Sequence, residues 1–189
     1  LDDLDAADLI VIAGQNPGTN HPRMLTALEQ AKKNGARIVA VNPLPEAGLI
    51  RFRNPQRPSG VVGRGTALAD RFLQVRLGGD QALFQAVGHL LLARGIVDQE
   101  FVAAHTTGFE EYAAARAELD WAATEEATGL TRAEIEGLAD DFAASKATIA
   151  CWAMGLTQHR HSVPTIREIV NLLLLQGNVG RPGAGVHDE

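Results

Sequence analysis

The chain has 189 residues, long enough to bury a full hydrophobic core and short enough to be one domain over residues 1–189. Its 17 basic and 23 acidic residues give a net charge of −6 with no long run of one sign, which argues against a nucleic-acid surface but leaves room for a local basic pocket. A single cysteine, Cys151, excludes an internal disulfide framework and fits a reducing compartment, the cytoplasm, and no stretch stays apolar for long enough to span a bilayer. The opening Leu1-Asp2-Asp3-Leu4-Asp5 carries neither an initiator Met nor a signal-peptide pattern, so the chain reads as a piece excised from something longer.

Strands and helices alternate along the chain. Leu9-Ile10-Val11-Ile12-Ala13 is a fully apolar strand, and a helix is expected over about 22–34, with Met24, Leu25, Leu28 and Ala31 on one face and Asn34-Gly35 as its stop. Ile38-Val39-Ala40-Val41 is a second buried strand, closed by Asn42-Pro43. Strand, helix and strand at this spacing make a βαβ unit, which demands parallel pairing. From Leu44 to about Asp70 the chain is rich in Pro, Gly and Arg without a period; Arg51, Arg53, Arg57 and Arg64 make it the most basic stretch, either a solvated surface or an interdomain contact.

A third strand is expected at Phe72-Leu73-Gln74-Val75. Asp80 then heads a helix with Leu83, Phe84, Val87, Leu90 and Leu91 on one side, ending at Gly95. Residues 98–144 read as a helical insertion, with Asp98, Thr107 and Thr131 as N-caps; Thr107-Gly-Phe-Glu110 and Thr131-Arg-Ala-Glu134 both match the capping box. A fourth strand covers 148–153, and the last helix about 163–176, stopped by Gly177. The pattern predicts a Rossmann-like, doubly wound α/β fold with a parallel sheet of four strands ordered 3-2-1-4 and helices on both faces. In that order the connections after strands 1 and 4 flank the point where strand order reverses, which is where open α/β sheets bind ligands.

Both of those connections are glycine-punctuated. Gly14-Gln15-Asn16-Pro17-Gly18-Thr19-Asn20-His21-Pro22 follows the first strand, and Gly155-Leu156-Thr157-Gln158-His159 the fourth. A strand running into glycine and then a helix lets backbone N–H groups approach an anion at the positive end of a helix dipole. Two such turns point to a large, phosphate-bearing organic ligand.

Gly14-x-Asn16-Pro17-x-x-x-His21-Pro22, Gly78-Gly79-Asp80, Met154-Gly155-Leu156-Thr157-Gln158-His159 and Gly177-Asn178-Val179-Gly180-Arg181-Pro182-Gly183-Ala184-Gly185 occur in this order. At these motifs the chain resembles the molybdopterin oxidoreductases over essentially its whole length, and most of all the formate-dehydrogenase-like members. The resemblance implies a domain holding a molybdopterin guanine dinucleotide of the bis-molybdopterin guanine dinucleotide (bis-MGD) cofactor with its molybdenum. It implies Gly14, Asn16, Pro17, Thr19, Asn20 and His21 at phosphate or ribose, within a loop running from Ala13. It implies Asn42 at a ribose hydroxyl with Pro43 beside it in the cofactor-binding segment, although Leu44 stands where many relatives carry a cation. Gly79 and Asp80 fall at the guanine edge, where a carboxylate accepts from N1–H and the exocyclic amine; Met154 and Gln158 fall toward the pterin, and Gly155, Thr157 and His159 of the same loop are implied as further cofactor-binding residues.

Plainer readings accompany these. Asp80 also suits a helix N-cap, Asn16 and Asn20 suit a turn and cap, and His21 before a proline suits a structural role. His159-Arg160-His161 lacks a third metal ligand nearby, and Cys151 in a strand reads as an apolar filler. Gly180-Arg181-Pro182-Gly183 reads as a turn, with Arg181 free to reach a phosphate or a neighbouring domain. The chain has no cysteine-rich cluster motif, so any iron–sulfur cluster belongs outside it. It is expected to be non-catalytic alone and to work with the remaining domains of a parent enzyme. Two other classes share parts of the pattern. A generic dinucleotide or thiamine-diphosphate-type domain would show Gly-x-Gly-x-x-Gly after strand 1, which is missing, and would respond to NAD(H); a non-catalytic interaction module would be favoured by a conventional start codon at Leu1 in the gene, and an excised domain by a reading frame that runs on in both directions.

Overall fold

The computed structural model describes residues 2–54 and 65–188. The elements are a 3-10 turn at Asp2–Ala6, β1 (Leu9–Ala13), α1 (Pro17–Asn20), α2 (Pro22–Lys33), β2 (Arg37–Val41), α3 (Ala47–Ile50), β3 (Arg71–Leu73), α4 (Asp80–Ala93), α5 (Gln99–His105), α6 (Phe109–Ala115), α7 (Trp121–Thr128), α8 (Arg132–Ala144), β4 (Thr148–Trp152), α9 (Met154–Thr157), α10 (Ser162–Leu175) and β5 (Gly185–Asp188). The sheet is parallel throughout, in the order β3-β2-β1-β4-β5. The expected four-strand order is present within it. A fifth strand, Gly185–Asp188, extends it beyond β4, pairing Ile149 with Gly185 and Trp152 with Asp188. The third strand is shorter than expected and shifted by one residue. It stops at Leu73 because that carbonyl takes the N–H groups of Asn42 and Val75, after which the chain turns to give the Arg76 N–H to Thr128.

Strand residues alternate between two apolar layers, as the period of two requires. Leu9, Val11, Ala13, Val39, Val41, Leu73, Ala150 and Trp152 face α4, α8 and α10, whose Leu83, Phe84, Val87, Ile135, Leu138, Phe142, Ile169 and Leu172 are buried against them. Ile10, Ile12, Ile38, Ala40, Ile149 and Cys151 face the other way, onto Met24, Leu25, Leu28 and Ala31 of α2, together with Leu4, Leu49, Phe52 and Leu68. Cys151 is thus an apolar filler. Through α8 the helical stretch 98–144 also closes the main core. Leu49, Phe52 and Leu68 likewise anchor both flanks of the basic stretch, where Phe52 and Thr66 form an antiparallel bridge. Arg51 and Arg53 are exposed there, and Arg57 and Arg64 lie outside the described residues.

Capping follows the sequence in part. Asp98 caps α5 by accepting the Phe101 N–H at 2.9 Å, and Thr131 and Glu134 form the full capping box of α8. The Thr107 box does not form: Gly108, at φ 78°, is the residue before α6, and its left-handed backbone replaces a side-chain cap. Asp80 is the first residue of α4, with Gly79 in the cap position and no capping bond from a side chain. At the amino edge of the sheet the Asp141 carboxylate of α8 takes Arg37 on one oxygen at 2.6 Å and Arg71 on the other at 2.8 Å.

The connections after β1 and β4 meet main chain to main chain. The Gly155 N–H donates to the Gly14 carbonyl at 3.0 Å. Gly14 sits at φ +60°, a conformation glycine adopts without steric cost, and a Cβ on Gly155 would fall 2.2 Å from the Gly14 oxygen. Neither position has a flexible neighbour that could give way. Gly155→Ala should therefore destabilise the chain by about 1–3 kcal/mol through overpacking. Gly180→Ala, at φ +78° with nothing within 4 Å of its Cβ, should cost only about 1 kcal/mol of backbone strain. Urea unfolding of both variants checks the order; equal losses would mean the loops can part freely.

Candidate functional site

The carboxyl edge of the sheet carries a cleft of about 260 Å³ to which every connection from β1 to β4 contributes. Gly14, Gln15, Asn16 and Asn20 come from the β1 connection; Asn42, Pro43 and Glu46 from that of β2; Leu77 and Asp80 from that of β3; and Ala153, Met154, Gly155 and His159 from that of β4. Strand order places the β2 and β4 connections on opposite sides of β1, so the cleft lies at the reversal point of the sheet.

The loop walls are braced by their own hydrogen bonds. The Gly14 N–H continues the ladder to the Val41 carbonyl at 3.0 Å, and the Asn42 Nδ2 donates to the Gln15 carbonyl at 3.0 Å. Asn42 is only 3 % exposed, so its amide ties the first loop to the second. The Asn16 Oδ1 accepts the Thr19 N–H at 3.2 Å, capping α1, while its Nδ2 donates to the Glu46 carboxylate. Among the described residues the backbone N–H groups of Gln15 and Asn16 have no acceptor. Gln15 is 2 % exposed; its Nε2 donates weakly to the Met24 sulfur at 3.5 Å, and its Oε1 is buried with no donor. A buried polar atom left open beside a cleft marks a place for a ligand group or ordered water.

Asp80 is 4 % exposed and pairs with no cation among the described residues. Burial pushes its carboxyl above the ordinary carboxylate range, offset in part by its own backbone N–H and by the nearby His159. With Glu46, the cleft holds two carboxylates against a single imidazole.

Of the residues singled out from sequence, Gly14, Asn16, Asn20, Asn42, Pro43, Asp80, Met154, Gly155 and His159 line this cleft together. The others do not. Pro17 is buried at the first position of α1, Thr19 is exposed with its N–H held by Asn16, and His21 joins α1 to α2. Gly79 faces α7, where a Cβ would fall 2.6 Å from the Ala127 oxygen. Thr157 ends α9 and Gln158 follows it, both exposed, with the Gln158 Nε2 on the Met154 sulfur at 3.5 Å. Glu46, Leu77 and Ala153 join the lining without a motif to announce them; Glu46 is separated from β2 by two prolines. Arg181 does not line the cleft. Its guanidinium donates to the carbonyls of Gly177 and Lys146 and to the Asn178 Oδ1, which itself accepts the Thr148 N–H at the opposite edge. The turn read there is present, closed by a bridge between Arg181 and Ala184. Among the described residues no group of three His, Cys, Asp or Glu could hold a metal, and no helix is long and apolar enough to cross a membrane.

A parallel α/β sheet with a cleft at its reversal point defines the class. The family follows from comparison: residues 1–188 match the model of the molybdopterin oxidoreductases, and the chain belongs to that family. It is 55 % identical over 190 residues to an uncharacterized oxidoreductase of Mycobacterium bovis, covering 97 % of this chain and 24 % of the relative. It is 43 % identical over 197 residues to the protein YdeP of Escherichia coli (98 % and 26 %), and 32 % identical over 187 residues to Escherichia coli formate dehydrogenase H (99 % and 24 %). Among solved structures, acetylene hydratase from Pelobacter acetylenicus shares the fold at a TM-score of 0.78 and 24 % identity, over 94 % of this chain and 22 % of that one. The chain thus spans about a quarter of the length of these relatives.

The raised titration of Asp80 sets a pH dependence. The folded chain holds that proton more tightly than the unfolded chain does. Its stabilising contribution is present below the ordinary Asp range and is lost as pH rises through the raised value. Asp80→Asn has no charge to bury, so its stability relative to the natural chain should rise through that window and then level off. Urea unfolding at a series of pH values checks this; a difference independent of pH would mean that Asp80 is solvated or paired.

Proposed function

We propose that this chain is the part of a molybdenum-dependent, formate-dehydrogenase-like oxidoreductase that holds one molybdopterin guanine dinucleotide of a bis-MGD cofactor, and that the single domain has no turnover by itself. One observation carries the reading. The connections that form the cleft lie along the sheet edge in the order β3, β2, β1, β4. The dinucleotide is linked covalently in the order guanine, ribose, pyrophosphate, pterin. Laid along the edge in that sense, each part meets matching chemistry. Guanine meets the Asp80 carboxylate, which can accept from N1–H and the exocyclic amine. Ribose meets the β2 connection, with Asn42 and Pro43. The pyrophosphate meets the loop with the open N–H groups of Gln15 and Asn16, together with Asn20. The pterin side meets Met154, Gly155 and His159.

The residues fit such a group on structural grounds as well. The Gln15 Oε1 is buried without a donor, and the Gly14–Gly155 contact leaves a floor with no side chains on it. When bound, the cofactor supplies the metal-centred redox chemistry; the chain binds it and orients it. We assign the metal ligand, any iron–sulfur cluster and the substrate pocket to the remaining domains of a cytoplasmic parent enzyme.

Asp80→Asn should weaken binding of guanosine diphosphate by about 1–3 kcal/mol, the usual worth of a charge-assisted hydrogen bond. Calorimetric titration checks this, and equal affinity in the variant would remove the guanine role from Asp80. Expressed in a host that makes the cofactor, the 189-residue chain should carry well under one molybdenum per molecule and oxidise no formate with an artificial acceptor. Stoichiometric metal with turnover would overthrow the single-domain reading.

A further inference from the structure

We propose that Glu46 is the charged acceptor for the ribose diol of the bound guanosine, beside the neutral strand-end residue Asn42. The proposal rests on the dinucleotide reading above and adds to it the group that distinguishes ribose from deoxyribose.

In α/β sheets that bind dinucleotides, the pyrophosphate sits on the loop after the first strand. A carboxylate beyond the second strand accepts from the ribose hydroxyls. The residue directly after β2 here is Asn42, a neutral amide fixed in a buried position by its Nδ2, which donates to the Gln15 carbonyl at 3.0 Å, so that only its uncharged Oδ1 is left to accept. The carboxylate arrives four residues later. Pro43 and Pro45 carry the chain around the end of the sheet, and Glu46 lines the same cleft as Asn42, Asn16 and Asp80.

The bonding of Glu46 suits this role. It stands at the cap position of α3 but makes no capping bond. Its Oε2 accepts from Asn16 Nδ2, and Asn16 in turn holds the Thr19 N–H, so the carboxylate is moored to the loop that would carry the phosphates. No hydrogen bond from another described residue reaches Oε1. An ionised carboxylate only accepts, so its open oxygen calls for a donor, and it repels a phosphate. Vicinal hydroxyls supply donors without charge. They are also the part of the ligand that lies between the base at Asp80 and the pyrophosphate at Gln15 and Asn16. A carboxylate with no cation among the described residues is a liability next to a pyrophosphate alone and an asset next to a ribose.

The test compares guanosine diphosphate with its 2′,3′-dideoxy analogue by calorimetric titration of the full chain, with circular dichroism to verify folding of each variant. The natural chain should bind the ribonucleotide about tenfold tighter than the analogue, the worth of one charge-assisted bond. Glu46→Gln should bring that ratio close to one. Glu46→Asp keeps the charge but shortens the reach by one methylene, and should do the same. If Glu46→Gln instead tightens both nucleotides equally with the ratio kept, Glu46 acts only as a repelling charge and the proposal fails. A ratio unchanged in both variants also overturns it. Asp80→Asn should weaken both nucleotides by one common factor. Loss of that Asp80 effect, or no binding of guanosine diphosphate to the natural chain, marks failure of the dinucleotide reading itself and removes this proposal with it.

Discussion

The whole carboxyl edge is set by how closely two backbones approach at Gly14 and Gly155. With no side chain on either residue, the connections after β1 and β4 share a hydrogen bond instead of splaying apart. That contact closes the floor of the cleft at the point where strand order reverses. The first loop must then turn immediately. It does so through Asn16 and the short α1, and Asn42 fastens it from the other side. The positions of Gln15, Asn16 and Glu46 are therefore consequences of one steric allowance made at the end of β1.

Electrostatics divides the domain differently. At the amino edge, cations and anions are matched: Asp141 with Arg37 and Arg71, and Lys32 with Asp70, whose other oxygen accepts the Ile38 N–H. At the carboxyl edge, Glu46 and Asp80 face a single histidine. Ionised groups near each other without counter-charge cost stability, and such local excess concentrates where a ligand is to be met. The apolar side chains at the rim, Met154 and Leu77, are more than half exposed, which again suits a surface that is completed by something else.

Most of the fold was legible because its signals are long or unbroken. β1, β2 and β4 are apolar runs, and α4 repeats Leu83, Phe84, Val87 and Leu90 at helical spacing, so the elements followed from pattern, while the strand order came from the doubly wound arrangement that such an alternation adopts. β5 was not legible: Gly185-Val186-His187-Asp188 has no apolar run and becomes a strand only by pairing with β4. The capping box at Thr107 failed because the adjacent glycine offered a left-handed turn that needs no side chain. Asp80 heads α4 as its sequence indicated, with Gly79 rather than Asp80 in the cap position. In the site, the glycines and Asp80 carried recognisable motifs, whereas Glu46 lies past two prolines and Leu77 in an unpatterned turn. Arg181 looked available in sequence because its acceptors, Gly177, Asn178 and Lys146, come together only in the folded chain.

The shared carboxylate of Asp141 makes tolerance to substitution lopsided at the far edge of the sheet. Each arginine holds a separate oxygen, so replacing Arg37 or Arg71 alone still leaves the acid with a partner and strands no bare charge. Replacing Asp141 unpairs both cations at once beside the packed face of α8, where Gly137 leaves room for the Arg71 guanidinium and for nothing larger. Neutral drift can therefore wander through the two basic positions one at a time, while the acidic one is held in place by both.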